Sequence, residues 1–416
     1  MPPFITGVSA LNFMTRFSGG LDLSKYEDIG AGIRALNTSS GGYTYGDYIR
    51  AIEYMGNGVI LAGSAGANVC RIYKSTDGGA TWSVAHTFNA INHVSSITRL
   101  GTSNDVVIAT TGGHGHDGNV YRSGDAGDSW VLENNWGGGR ASGHDNVYSS
   151  EYIHNNVFLH GGGYNEGDGS VWRSADGGLN WTDLRGSNSS GTTMTGNVGW
   201  DNNSVFDASI YGSQFYSSTD SWWVLNLKYV GNGVVLANRR PVRLGSTSGS
   251  GSNTVPELIR STDYGINWTK VTTQTTNFLN SGQLVTENLG NGKVIGVTNA
   301  EGSTNSDNAN VYISNDYGET WDETPKFTVN RNRAYAVTHL GNGHVVFLAY
   351  HWTGSAYLAN GGEVYESLNY GETWNSTPVF DPGVLFLLSA KFNPDDNVLY
   401  VGGSLDDVAP VLYKLG

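Results

Sequence analysis

The chain has 416 residues, a formal net charge of −14, 59 glycines, 12 tryptophans and a single cysteine. That acidity argues against a nucleic-acid backbone as partner, because neutralising phosphates requires a basic stripe. No apolar run is long enough to cross a bilayer, and Cys70 standing alone excludes an internal disulfide and is expected to be a buried free thiol.

Taken from the start, Met1-Pro-Pro-Phe-Ile-Thr lacks the basic segment and apolar core of a secretory leader. Phe4 to Phe13 has strand composition and precedes everything repetitive. From about residue 48 the chain alternates short apolar strands with two kinds of turn. Gly- or Asn-rich hairpins recur at 54–59, 153–157, 200–204, 229–234, 289–293 and 340–344, with looser versions at 100–105 and 392–397. Asn-Gly between alternating apolar residues is a strong hairpin signal. The second turn reads S-x-D-x-G-x-x-W at Ser75 to Trp82, Ser123 to Trp130, Ser174 to Trp181, Ser261 to Trp268, Ser314 to Trp321 and, with Asn369 for Asp, Ser367 to Trp374. A damaged copy runs from Ser218 to Trp223. Asp accepts backbone N–H bonds two residues on, and Gly supplies the positive φ. Trp then opens the next strand and packs back over the turn. Equivalent acids in five of the boxes on one ring of turns read as structural, and Asn369 in the sixth, which makes the same bonds without charge, supports that.

The longer loops lie between these turns. They carry His114, His116 and Asp117, then Arg140, His144 and Asp145, then Tyr164, Glu166 and Asp168. Further on come Arg239, Arg240 and Arg243, then Arg331, Arg333 and Tyr335, then Tyr350, His351, Trp352 and Tyr357. Imidazole and carboxylate make His114, His116 and Asp117 a candidate metal site, although paired His in a Gly-rich loop are commonly solvated. Glu166 and Asp168 would serve as a glycosidase pair only at a carboxyl separation of roughly 5–10 Å. Arginines match anionic sugars bidentately, and aromatic rings stack on sugar faces. Tyr164, Arg239, Arg240, Arg331, His351 and Trp352 are therefore the expected ligand-binding residues. Nothing in the chain calls for a cofactor.

The six boxes closely resemble the Asp-box (BNR) repeat of β-propellers, over almost the whole chain. The resemblance implies an all-β fold: a single propeller of four-stranded blades over residues 48–416, with residues 1–47 an arm whose strand closes the last blade. Counting hairpins favours eight blades with a short fourth one; the alternative is seven, with 196–225 inserted. Alternating strands would place the Gly/Asn hairpins and boxes on one face and the long loops on the other, where function concentrates.

Propellers of this type include sialidases, xyloglucanase-type glycoside hydrolases, polysaccharide lyases and non-catalytic sorting receptors. No catalytic signature carries over. The nearest match to the sialidase Arg-Ile-Pro is Arg71-Ile-Tyr, inside a strand beside a box. Lyases of this fold use His, Tyr and Arg on the loop face, for which His116, Tyr164 and Arg240 are available. Whether the chain is an enzyme stays open. A chain rich in Gly, Asn, Ser and Thr and poor in Lys suits the outside of a cell or a virion. The expectation is an extracellular or virion-associated propeller of phage structural type that recognises glycans or docks on an assembly protein, without membrane insertion. The alternative is a glycoside hydrolase or polysaccharide lyase acting on an anionic polysaccharide.

Overall fold

The computed structural model describes residues 21–36, 48–66, 69–89, 93–101, 105–112, 118–135, 146–163, 170–184, 220–243, 257–271, 283–299, 308–330, 332–352, 357–406 and 409–416. Each described box folds alike. In the first, Asp77 accepts from the Ser75 hydroxyl and the Thr81 N–H, both at 2.8 Å. Ser75 Oγ accepts in turn from Gly79 N–H at 2.8 Å, and Trp82 Nε1 donates to the Gly79 carbonyl at 3.0 Å. The ring N–H repeats that bond at Trp130, Trp181, Trp268, Trp321 and Trp374. The tryptophan thus folds back over its own turn, as its position predicts.

Strands on either side of these turns form antiparallel four-stranded units. Their innermost strands are Tyr48–Gly56, His93–Arg99, Asn146–Tyr152, Asp220–Gly231, Gln283–Gly290, Asn332–Gly341 and Phe386–Asn393. Among the described residues this makes seven sheets; a lone bridge, Ala65↔His93, ties the first to the second. Each innermost strand contacts the next, and the strand at 386–393 contacts the one at 48–56, so the ring closes. The sixth sheet has three strands, with Val364↔Phe380 bridging its outer edge. The arrangement is that of a β-propeller.

Eight sheets were the favoured expectation, and the described residues give seven. The strand at 146–152 contacts the one at 220–231 directly, leaving no room in the ring between the third and fourth sheets. The segment read as a damaged box belongs in part to an innermost strand, since Asp220 to Gly231 pairs along Val234–Arg243. Most of 196–225 lies outside the described residues.

An N-terminal strand does close the last sheet, but it is Tyr26–Asp28, paired antiparallel with Tyr413 to Leu415. Phe4 to Phe13 lies outside the described residues. Burial explains why the 21–36 stretch holds. Leu21 and Leu23 join the apolar cluster of Phe380, Leu399, Val411 and Leu415. Tyr26 meets Phe380 and Tyr413 edge-on. The short helix Ala31–Leu36 inserts Ile33, fully buried, against Ile49, Tyr73 and Leu412. Pairing this edge removes unsatisfied strand groups that invite aggregation. Cys70 is a buried free thiol, and burial pushes its pKa up.

The two faces differ as the alternation of strands predicts. Box turns bond to the hairpins of their own sheets: Gly78 N–H to the Gly58 carbonyl at 2.9 Å, and Tyr264, Tyr317 and Tyr370 to Gly233, Gly292 and Gly343, each at 2.8 Å. Hairpins and boxes therefore share one face. The innermost strands begin, and the second strands end, at the other.

Candidate functional site

A cavity of about 910 Å³ runs along the ring axis, lined by all seven innermost strands. Toward the box face its wall is a girdle of equivalent positions: Glu53, Thr98, Glu151, Lys228, Glu287, Thr338 and Lys391. Lys391 reaches Glu53 at 2.8 Å, closing the step from last sheet to first. Lys228 lies 3.0 Å from Glu287 and 3.9 Å from Glu151, spanning three sheets. Burial alone would push the Lys228 ammonium down, but the two carboxylates beside it outweigh that and hold it above the usual lysine range. Burial pushes Glu151 up, against the pull of Lys228. These acids are also bonded to backbone: Glu53 accepts from Tyr54 N–H at 3.1 Å and Arg99 N–H at 3.3 Å, and Glu287 from Asn288 N–H at 2.9 Å. The girdle joins sheets and spends its charges internally.

Nearer the long-loop face the wall changes character. Six innermost strands carry a register shift at the same level, between Ile49 and Ala51, Val94 and Ser96, Val147 and Ser149, Val224 and Asn226, Ala334 and Ala336, and Leu387 and Ser389. A bulge adds one unpaired residue and re-aims its side chain. The extra residues are Arg50, Ser95, Tyr148, Leu225, Tyr335 and Leu388, and all line the cavity. Beside them an aromatic arc crosses three sheets. Tyr48 meets Phe386 edge-on at 5.5 Å, Phe386 lies 6.2 Å from Tyr350, and Tyr350 stacks on Tyr335 at 5.2 Å. The Tyr350 hydroxyl donates to that of Tyr335 at 3.2 Å. A polar sector faces the cavity elsewhere: Ser96, Thr98 and Ser150 form a hydroxyl chain, and Thr286 donates to Asn226.

Few of the residues singled out from sequence fall in this description. His114, His116, Asp117, Arg140, His144, Asp145, Tyr164, Glu166, Asp168 and Arg331 lie outside the described residues. The backbones of Arg239 and Arg240 are placed in the second strand of the fourth sheet, opposite Val224 and Trp223. His351, half-buried and opposite Asn332, and the backbone of Trp352 end the second strand of the sixth sheet, directly after Tyr350. Those strand ends are on the long-loop face, so topology brings the two pairs to one side of the ring. Among the described residues no group of three or more metal-ligating side chains occurs. Sequence reasoning noted Tyr335 and Tyr350 as loop residues and missed Tyr48, Arg50, Tyr148 and Phe386 altogether.

No protein-family model matches the chain, and no curated protein sequence does either. Solved structures do. An ulvan lyase of polysaccharide lyase family PL25, bound to -[GlcA(1-4)Rha3S]-, aligns with TM-score 0.56 and 12% identity over 90% of this chain and 96% of its own. YCF48 bound to a D1 peptide aligns with TM-score 0.54 and 13% identity over 95% and 98%. The GH74 xyloglucanase of Xanthomonas campestris aligns with TM-score 0.53 and 12% identity over 92% of this chain but 52% of its own. At such identities the likeness is one of fold: this is an all-β propeller.

Proposed function

We propose that the chain is an Asp-box propeller that takes a polysaccharide at the long-loop mouth of its axial cavity and belongs functionally with the propeller lyases and glycoside hydrolases. The observation that carries this reading is the aromatic arc Tyr48, Phe386, Tyr350 and Tyr335, set in a cavity of about 910 Å³ opposite a hydroxyl- and amide-lined sector. Pyranose rings present apolar C–H faces to aromatic side chains and hydroxyl edges to polar ones, and this wall supplies both. The lyase and xyloglucanase among the structural neighbours lend the reading support that a virion role lacks. His351 and the backbone of Trp352 follow Tyr350 along its strand, and the backbones of Arg239 and Arg240 lie in the last half of a second strand that ends on the same face.

The test is calorimetric titration with neutral and acidic polysaccharides, beside assays for new reducing ends and for the unsaturated uronate that a lyase produces. Binding that weakens at least tenfold in Tyr335→Ala or Tyr48→Ala, a loss of about 1.4 kcal/mol, with an unchanged melting temperature is the expected result. Absence of binding to every polysaccharide would sink the reading.

A second reading has one observation behind it: a structural neighbour is a peptide-bound propeller. Under that reading the same mouth would take an extended segment of a partner protein, and the polysaccharide titrations would all be silent.

A further inference from the structure

Arg50 is the one cation among the six bulge residues, and its setting differs from that of the lysines below it. Lys228 and Lys391 are each held by glutamates within 3.0 Å. Arg50 is half-buried, lines the cavity and makes no ion pair with any described carboxylate. Glu53, the nearest acid along its own strand, is occupied by Lys391 and by the N–H groups of Tyr54 and Arg99. In a chain with 37 acidic residues against 23 basic ones, a half-buried guanidinium with no ion pair among the described residues stands out. Desolvating a charge without a partner is costly, and a bound oxyanion relieves that cost. The bulge between Ile49 and Ala51 matters here, because regular alternation through that stretch would give Arg50 a different aim. Tyr48 precedes it by two residues and begins the aromatic arc.

We propose that Arg50 is the specificity-determining residue of the mouth and that it receives an oxyanion carried by the sugar, either a uronate carboxylate or a sulfate ester. This rests on the polysaccharide reading and narrows it to acidic polymers. The planar guanidinium offers two parallel N–H donors to either group, with a ring of the arc beneath the adjoining pyranose.

The experiment titrates the wild type, Arg50→Lys and Arg50→Ala with polygalacturonate, a sulfated galactan and a neutral xyloglucan, with melting temperature recorded for each variant. Binding to one acidic polymer, cut at least tenfold in Arg50→Ala and partly kept in Arg50→Lys, is the result expected. Whether the affected polymer is the uronate or the sulfate names the source of the oxyanion. Salt dependence of binding should be shallower in Arg50→Ala, which a purely structural role would not change. If wild type binds xyloglucan as tightly as the acidic polymers and Arg50→Ala binds all three alike, the inference is wrong while the polysaccharide reading stands. If wild type binds none, both fall. Should Arg50→Ala fold poorly, undiminished acidic binding by Arg50→Gln overturns the proposal equally well.

Discussion

Arg173 Nε donates to the carbonyl oxygen of Tyr264 at 3.3 Å, across 91 residues of chain. The same step is taken by Arg122 to Gly177 at 3.0 Å and by Arg260 to Tyr317 at 3.1 Å. In each case the basic residue just before one box serine reaches the turn of the next box. Glycines repeat the relationship. A Cβ at Gly127 would stand 2.7 Å from Leu61, at Gly265 2.6 Å from Leu159, and at Gly318 2.6 Å from Leu236. The third and fourth sheets are therefore spaced like the second and third.

That adjacency can be measured by a double-mutant cycle. Gly265→Ala places a methyl against Leu159 at φ +80 and should destabilise by about 1–3 kcal/mol. Leu159→Ala opens a cavity and costs about 2–5 kcal/mol. Together they should cost less than their sum, with coupling of roughly 0.5–3 kcal/mol in urea denaturation. Strict additivity would mean that the two sheets do not touch.

The box carboxylates act through hydrogen bonds and not through charge. Asp316 accepts from Thr320 N–H and the Ser314 hydroxyl, both at 2.8 Å. Asn369 does the same with Thr373 N–H at 2.9 Å and the Ser367 hydroxyl at 3.0 Å, and its Nδ2 donates to Thr373 Oγ1. Asp316→Asn should therefore leave the melting temperature nearly unchanged and Asp316→Ala should lower it, by an amount equivalent to about 1–2 kcal/mol. Equal losses in both variants would assign the carboxylate a charge-dependent role.

The boxes were legible because their bonds are local: every partner of Asp77 lies within four residues of it. The Gly/Asn hairpins were legible for the same reason, and Asn57, Asn232, Asn291 and Asn342 all adopt positive φ. Sheet number was not, because Trp200-Asp-Asn-Asn-Ser carries a hairpin signal whether or not a sheet forms around it. The closing strand was misplaced because Tyr26-Glu-Asp has no apolar alternation; Leu21, Ile29 and Ile33 on either side do the anchoring. The mouth was hidden for a third reason. A bulge breaks the period of two, so no alternation argument can aim Arg50 or Tyr148 at the axis.

His160 gives the fold a pH dependence of its own. It is fully buried, with neither ring nitrogen bonded among the described residues, and stacked on Trp181 at 3.9 Å. Burial pushes its pKa down from 6.5 to about 3. The unfolded chain takes up a proton near 6.5 while the native state resists it until about 3, so this residue costs stability progressively as pH falls through that window. The slope is at most about 1.4 kcal/mol per pH unit. His160→Phe keeps the stack and removes two unsatisfied polar atoms, so it should raise the melting temperature at pH 7 and by more at pH 5. A variant with the same pH dependence as wild type would show that His160 takes up its proton as readily in the native state as in the unfolded chain.

Lys228 is the keystone of the girdle, held between Glu287 at 3.0 Å and Glu151 at 3.9 Å. Lys228→Met leaves both carboxylates without their cation in a half-buried wall, which should cost about 3–5 kcal/mol at pH 7. The loss comes from stranded charge and not from missing volume, since methionine fills most of the lysine stem. Two consequences separate these causes. Adding Glu151→Gln and Glu287→Gln to Lys228→Met should recover most of the stability, because the neutral amides need no counter-ion. Acid should help the single variant relative to wild type. Burial already pushes Glu151 up, and without Lys228 that acid binds protons more readily in the folded than in the unfolded state. The destabilisation is then largest above the ordinary carboxylate range and shrinks as pH falls toward it. Denaturant midpoints for the single and triple variants at pH 8 and pH 5 would check both points, and a deficit independent of pH and unrelieved by the amides would place the cost in packing instead.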